Sequence, residues 1–190
     1  MADSKSDSII SEHFATNSAV IPLESGLVEH LDNGLWQYAC QVYSKAGVEA
    51  ALLHLQDEHG ADINLILQAL WLANEGAEWT SAYIPNDYGR WVKEQVMPIR
   101  TMRRGLKTDW VELRGEGCED FRQQVKKLEL KAEQYALAML FVQSEAKMNG
   151  IKKNGAKKNG SVTLAEENLK QLGENMSIHP EYFKLLISAL

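Results

Sequence analysis

Apolar positions recur every three or four residues through most of this chain, and no run of Val, Ile and Thr alternates with polar residues. That pattern predicts helices and argues against sheets. A first helix is expected from about Leu35 to Ser44, with Asp32 or Asn33 placed to cap it. A second is expected from about Gly47 to His59, with Val48, Ala51, Leu52 and Leu55 on one face and Gly60 positioned for a left-handed stop. Asp62 then caps a third, running to about Asn74. Its Ile63, Leu65, Ile66, Leu67, Leu70, Trp71 and Leu72 cover most of the circumference. A helix apolar on every side is a buried one, so the third is expected at the centre.

Glu75 to Tyr88 reads as a polar and aromatic connection containing Gly76 and Pro85. A fourth helix follows from about Asp87 to Lys107, with Val92, Val96, Ile99 and Leu106 as its stripe and a kink expected at Pro98. Gly115 and Gly117 punctuate a loop. The longest helix is expected from Glu119 to about Lys147, where Phe121, Val125, Leu128, Ala132, Tyr135, Met139 and Val142 form a heptad seam. Such a seam packs against an antiparallel neighbour or a second chain. Residues 1–30 are rich in Ser and Asp and read as a mobile tail. Residues 149–160 contain Lys-Lys-Asn-Gly twice and read as a flexible linker. Ser161–Glu174 and Pro180–Leu190 are too short to be stable alone and must dock on something. The expected fold is all-α: one bundle of about five core helices over residues 31–148, with a helical extension at 161–190 docked outside.

Composition fits this picture. At 190 residues, 45% hydrophobic and 24% charged, the chain is an ordinary globular one with room for a core. The start, Met1 to Ser8, lacks a basic region followed by an apolar one, so no signal peptide is expected. The longest apolar run, Tyr135–Val142, is far too short to span a bilayer. Cys40 and Cys118 lack a paired spacing and read as reduced thiols of a cytoplasmic protein. The net charge of −6 is unevenly spread. Residues 1–90 hold three Lys/Arg against thirteen Asp/Glu, and residues 91–160 hold fifteen against nine. An acidic half beside a basic half attracts itself or offers complementary faces to partners.

Candidate chemistry is sparse. His54, Asp57, Glu58, His59 and Asp62 resemble metal ligands, but two histidines five residues apart point about 140° apart on a helix. No metal site and no cofactor is expected. His59 sits at the negative end of its helix, where a cation is favoured. Asn64 and Gln68 lie four apart on an apolar helix and must either pair or line a polar pocket. Arg100, Arg103, Arg104 and Lys107 form one stripe, and Glu129 and Glu133 lie on one flank of the long helix. These charges make either an interhelical ladder or an anion site built on arginine forks. A nucleic-acid face is disfavoured, since only Trp91 and Trp110 could stack on bases. No nucleophile elbow, phosphate loop, dinucleotide glycine pattern or Cys/His signature occurs, so no catalytic residue is assigned.

A set of ordered motifs carries a family resemblance. Leu35-Trp-Gln-Tyr-Ala, Val42-Tyr, Gly47-Val, Leu55-Gln-Asp-Glu-His-Gly-Ala-Asp-Ile-Asn-Leu, Leu70-Trp-Leu, Val96-Met-Pro-Ile-Arg, Arg103-Arg-Gly-Leu-Lys and Leu128-Glu-Leu-Lys-Ala-Glu together resemble an uncharacterised, mainly proteobacterial domain family. The resemblance spans roughly Leu35 to Val142. It implies a small helical cytoplasmic protein and no particular activity. The expected function is therefore a non-catalytic interaction or adaptor protein, partnering another protein or itself through the long helix. The alternative is a small-molecule or anion-binding enzyme with a pocket near His59, Asn64 and the Arg100–Lys107 stripe.

Overall fold

The computed structural model describes residues 27–110, 116–152 and 162–190. Most of the predicted tail (1–26) and of the predicted linker (153–160) lies outside the described residues. The described residues are all-α, with no strand. A 3₁₀ turn at Leu27–His30 leads into α1 (Gly34–Tyr43), α2 (Val48–His59) and α3 (Ile63–Asn74). The predicted caps are in place. Asn33 accepts from the Trp36 N–H at 2.8 Å, Asp62 accepts from Asn64 N–H at 2.9 Å, and Gly60 ends α2 at φ 66°. That left-handed conformation is one that glycine alone adopts without strain.

α3 is the central helix, buried continuously from Ile63 to Ala73 and touching α1, α2, α6 and α7. The stretch after it is less of a loop than its polarity suggests. Trp79, Tyr83, Ile84 and Tyr88 are all buried, with a 3₁₀ turn at Ser81–Tyr83, so this connection supplies core rather than skirting it. α4 (Tyr88–Trp91) passes through a π-helical turn at Val92–Val96 into α5 (Met97–Thr108). Here the expected proline kink takes the form of a wide turn. Met97 donates to the Val92 carbonyl five residues back, and Pro98, which has no N–H to donate, follows directly after this wide turn.

α6 (Glu116–Lys152) extends four residues into the Lys/Asn/Gly stretch. Its buried side differs from the predicted seam. Val125, Ala132 and Met139 are buried as expected, but Phe121 and Leu128 are exposed. The buried line runs instead through Val125, Glu129, Ala132, Ala136, Leu140, Gln143 and Ser144. Three polar residues in that line displace the apolar pattern from the true packing face.

The carboxyl-terminal extension corrects a further expectation, because it is core and not an outer layer. α7 (Val162–Met176) packs along α3, and a 3₁₀ turn at Pro180–Phe183 leads into α8 (Lys184–Ala189) against α2. Leu169, Leu172, Phe183 and Leu186 are among the most deeply buried side chains. The cause lies in α3: a helix apolar all round needs a cover on each side, and α1, α2 and α6 leave one side open. Asn168 fixes the fit. Its amide donates to the Ala69 and Ala77 carbonyls, each at 3.0 Å, and accepts from the Trp79 N–H at 2.8 Å. Gly173 permits the next turn to close, since a Cβ there would lie 2.7 Å from the Ile178 carbonyl and 2.9 Å from the Phe183 ring.

Removing the Asn168 amide would leave the buried Trp79 N–H and the Ala77 carbonyl without this partner, while the Ala69 carbonyl keeps its bond within α3. Asn168→Ala should destabilise the chain by about 3 kcal/mol, because each unpaired buried group costs about 1–3 kcal/mol and relaxation recovers part. Urea unfolding checks this beside exposed Glu167→Ala, which should cost less than about 0.5 kcal/mol. Equal, small effects would return the extension to the periphery.

Candidate functional site

The densest cluster of ionisable groups forms where α1, α3, α4, α5 and α6 converge. It starts at the first turn of α3. One Asp62 carboxylate oxygen caps the helix, and the other accepts a 2.8 Å hydrogen bond from the Tyr88 hydroxyl at the start of α4. Asn64, in the first turn of α3, is buried and donates its backbone N–H to the Asp62 cap. Beyond it, α5 presents two arginines three residues apart, and α6 presents two glutamates four apart. Arg100 donates to Glu129 at 3.0 Å and to Glu133 at 2.5 Å. Arg103 forks onto both oxygens of Glu129. Helical spacing produces this fit, since i, i+3 on one helix meets i, i+4 on its neighbour along a single line.

Burial makes the three carboxyls unequal. Burial pushes Glu129 up, but hydrogen bonds from Arg103 and Arg100 outweigh it and hold the carboxyl below its ordinary range. Burial also pushes Glu133 up, and there it prevails, because the single guanidinium at hand, Arg100, is shared with Glu129. Asp62 is raised by burial as well, against the hydrogen bonds from Tyr88 and from the Asn64 and Leu65 amides. Tyr43, at the end of α1, is pushed up to about 12 by burial and by the carboxylates of Glu133 and Glu49. Carboxyls raised in a cluster are a signature of functional sites, but packed ion networks raise them equally well.

The remaining sequence candidates are not gathered here. Gln68 is fully buried deeper in the bundle. It donates to the Tyr83 carbonyl at 3.1 Å and to Ser144 at 2.9 Å, and accepts from the Trp79 indole at 3.3 Å. It therefore serves the core and does not pair with Asn64. His59 lies at the end of α2, stacked on Tyr182 with centroids 3.8 Å apart and with His54 edge-on at 5.6 Å. Arg104 reaches α2 and bonds Asp57 at 2.5 Å, half exposed. Lys107 is also engaged. Among the described residues no group of three or more His, Cys, Asp or Glu is disposed to hold a metal, and no fully buried side-chain nitrogen or oxygen lacks a partner. Cys40 is exposed and Cys118 half-buried, and neither is bonded to the other.

Sequence reasoning missed the roles of Tyr88, Tyr43, Ser144 and Asn168. For Asn168 a signal existed: it interrupts the stripe Leu164, Leu169, Leu172, as a buried amide does. Tyr88 and Tyr43 carried none, because their partners come from other helices.

A family model described as "Protein of unknown function (DUF2390)" matches residues 34–140, more than half of the chain, and the chain belongs to that family. No curated protein and no solved structure matches it. The family match takes in α1 to α5 and most of α6, hence the whole ionisable cluster, and stops short of α7 and α8.

The asymmetry among the carboxyls has a measurable sign. At neutral pH Glu129→Gln should cost about 2–3 kcal/mol by discharging an acceptor of charge-assisted hydrogen bonds. Glu129 is depressed in the fold, so its contribution is present above the unfolded value of about 4.3 and fades as pH falls through the folded value. Glu133 is raised, so its contribution is full below that unfolded value and is lost as pH rises through the folded one. Glu133→Gln should therefore cost less than about 1 kcal/mol at neutral pH and relatively more in acid. Urea titrations of both variants near neutrality and in acid test it, and parallel pH dependence for the two would refute the assignment.

Proposed function

We propose that this family member is a non-catalytic, cytosolic interaction protein whose binding surface is the outer face of the α5–α6 hairpin. One observation carries the reading. Of the twelve large apolar side chains left exposed among the described residues, six belong to this hairpin, and two of them, Phe121 and Leu128, sit one heptad apart on the same face of α6. Apolar side chains scattered singly are ordinary on a surface, but a group held on two adjacent helices marks an interaction site. Methionine and aromatic side chains are the types enriched at such sites.

The polar groups support the same reading from the other side. Arg100 and Arg103 spend their forks on Glu129 and Glu133, and Arg104 spends its own on Asp57, so the stripe acts as a ladder that positions α5. An arginine already engaged by carboxylate is a poor ligand for phosphate, which weighs against the anion-binding alternative and against nucleic acid. No described helix is long and apolar enough to cross a membrane. A proton-handling site at Asp62 and Glu133 is the reading that the raised carboxyls would favour instead.

The test pairs two measurements on the full chain. Immobilised wild type should retain a protein, itself or another, that Phe121→Asp/Leu128→Asp loses while its helical dichroism is unchanged. Thermal-shift screening against phosphorylated metabolites and nucleotides should give no stabilisation. A shift of several degrees with one metabolite, abolished in Arg104→Ala, with nothing retained through the hairpin, would replace the interaction reading with the enzyme.

A further inference from the structure

We infer that the occupant of this face is a second copy of the chain, packed antiparallel with the amino-terminal part of α6 against its own equivalent. The inference rests on the reading of the hairpin as an interaction surface and names what covers it.

Asp120, Phe121, Gln124, Lys127, Leu128 and Lys131 fall on one side of α6, and all six are exposed. The adjoining side, through Val125, Glu129 and Ala132, is buried in the protein itself, so Phe121 and Leu128 lie at the edge of the packed face. Phe121 and Leu128 are seven residues apart and 49% and 55% exposed. Positions one heptad apart occupy equivalent places along a helix–helix seam, so this edge of α6 is suited to a helix that no described segment of its own chain supplies.

The charges decide which helix. Along the stripe the acid comes first, at Asp120, and the bases come last, at Lys127 and Lys131. Parallel pairing of two such stripes would set acid on acid and base on base. Antiparallel pairing about a two-fold axis near Gln124 sets Phe121 of each chain beside Leu128 of the other. It also brings Asp120 within a turn of Lys127 and Lys131 across the axis. Every contact is then made twice, which is what an isologous interface requires. The stripe is its own complement in shape and in charge. A uniformly acidic or basic partner would match only one end of it.

Phe121 and Leu128 are each about half exposed. With an aromatic side chain burying roughly 150–250 Å² in full, the pair offers about 200 Å² of apolar surface per chain. A standard interface takes about 800 Å² per partner, with a polar rim completing the apolar centre. The existing contacts of the stripe do not compete. Gln124 bonds Asp120 at 2.8 Å and Lys131 bonds Gln134 at 3.0 Å, both exposed and both within the same helix.

Sedimentation velocity on the full chain tests the inference over roughly 1–100 µM, a range that brackets the weaker dissociation constants known for interfaces of standard size. Wild type should sediment at twice the 21.4 kDa of one chain at the upper end. Phe121→Asp/Leu128→Asp should be monomeric throughout with wild-type dichroism. Reversing the bases (Lys127→Glu/Lys131→Glu) should weaken the dimer at least tenfold, and adding Asp120→Lys to the same chain should restore it. Restoration within one chain is a result that only self-pairing produces. A wild type that stays monomeric would overturn the inference, and the face would then belong to a different protein, leaving the interaction reading standing. A dimer that ignores all three variants would also overturn it, because the contact would lie elsewhere.

Discussion

Eleven consecutive residues of α3, Ile63 to Ala73, are hidden from solvent, and a helix covered on all sides imposes two demands on everything around it. The first is cover. Four helices are needed, and α7 must be recruited from beyond the long helix to provide the last. The second is that any polar side chain in α3 must find its partners inside the protein, because a buried amide left unpaired costs more than its bonds return. Gln68 meets that demand through Tyr83, Ser144 and Trp79. Those three bonds also tie the connection after α3 and the middle of α6 to the central helix. One buried glutamine thus ties two other segments, one of them distant in sequence, to the central helix.

At the amino-terminal end of α3 the same demand is met with charge. Asp62 is needed as a cap, and its second oxygen would be stranded without Tyr88. Tyr88 in turn starts the helical path that becomes α5, and so brings Arg100 and Arg103 over α6. A buried charge network of this kind contributes little net stability, since desolvation offsets most of the attraction. Its effect is to fix geometry. The two arginines fit one rotational setting of α5 against α6, and any other setting leaves Glu129 buried and unpaired.

How much of this could be read from the chain depended on whether each signal was local. Asn33, Gly60 and Asp62 act within a turn of their own position, and their caps were legible. The burial of α3 was legible because its apolar residues leave no polar side. The register of α6 was not, since Glu129, Gln143 and Ser144 occupy its packing face and are tolerated there only through partners on α5, α3 and the connection between α3 and α4. For the same reason Phe121 and Leu128 looked like core while the structure turns them outward. The arginine ladder was half legible. Spacing paired the stripe with Glu129 and Glu133, but no spacing tells that Arg103 takes Glu129 alone, or that Arg104 turns to Asp57.

The ladder and the exposed apolar stripe are one consequence, not two. Burying Phe121 and Leu128 within the chain would require α6 to roll away from α5. At about half exposure the two side chains together have roughly 200 Å² left to bury, worth about 5 kcal/mol at about 25 cal/mol per Å². Rolling α6 would part Glu129 from both arginines and Glu133 from Arg100, leaving Glu129 buried with three lost charge-assisted bonds, a cost of the same order. The two terms nearly balance, and the apolar edge stays outside because the ladder also fixes the setting of α5. A surface maintained at that cost to the isolated chain is what a second helix layer can recover without disturbing the ladder, because the arginines meet α6 a quarter-turn or more round from the apolar stripe.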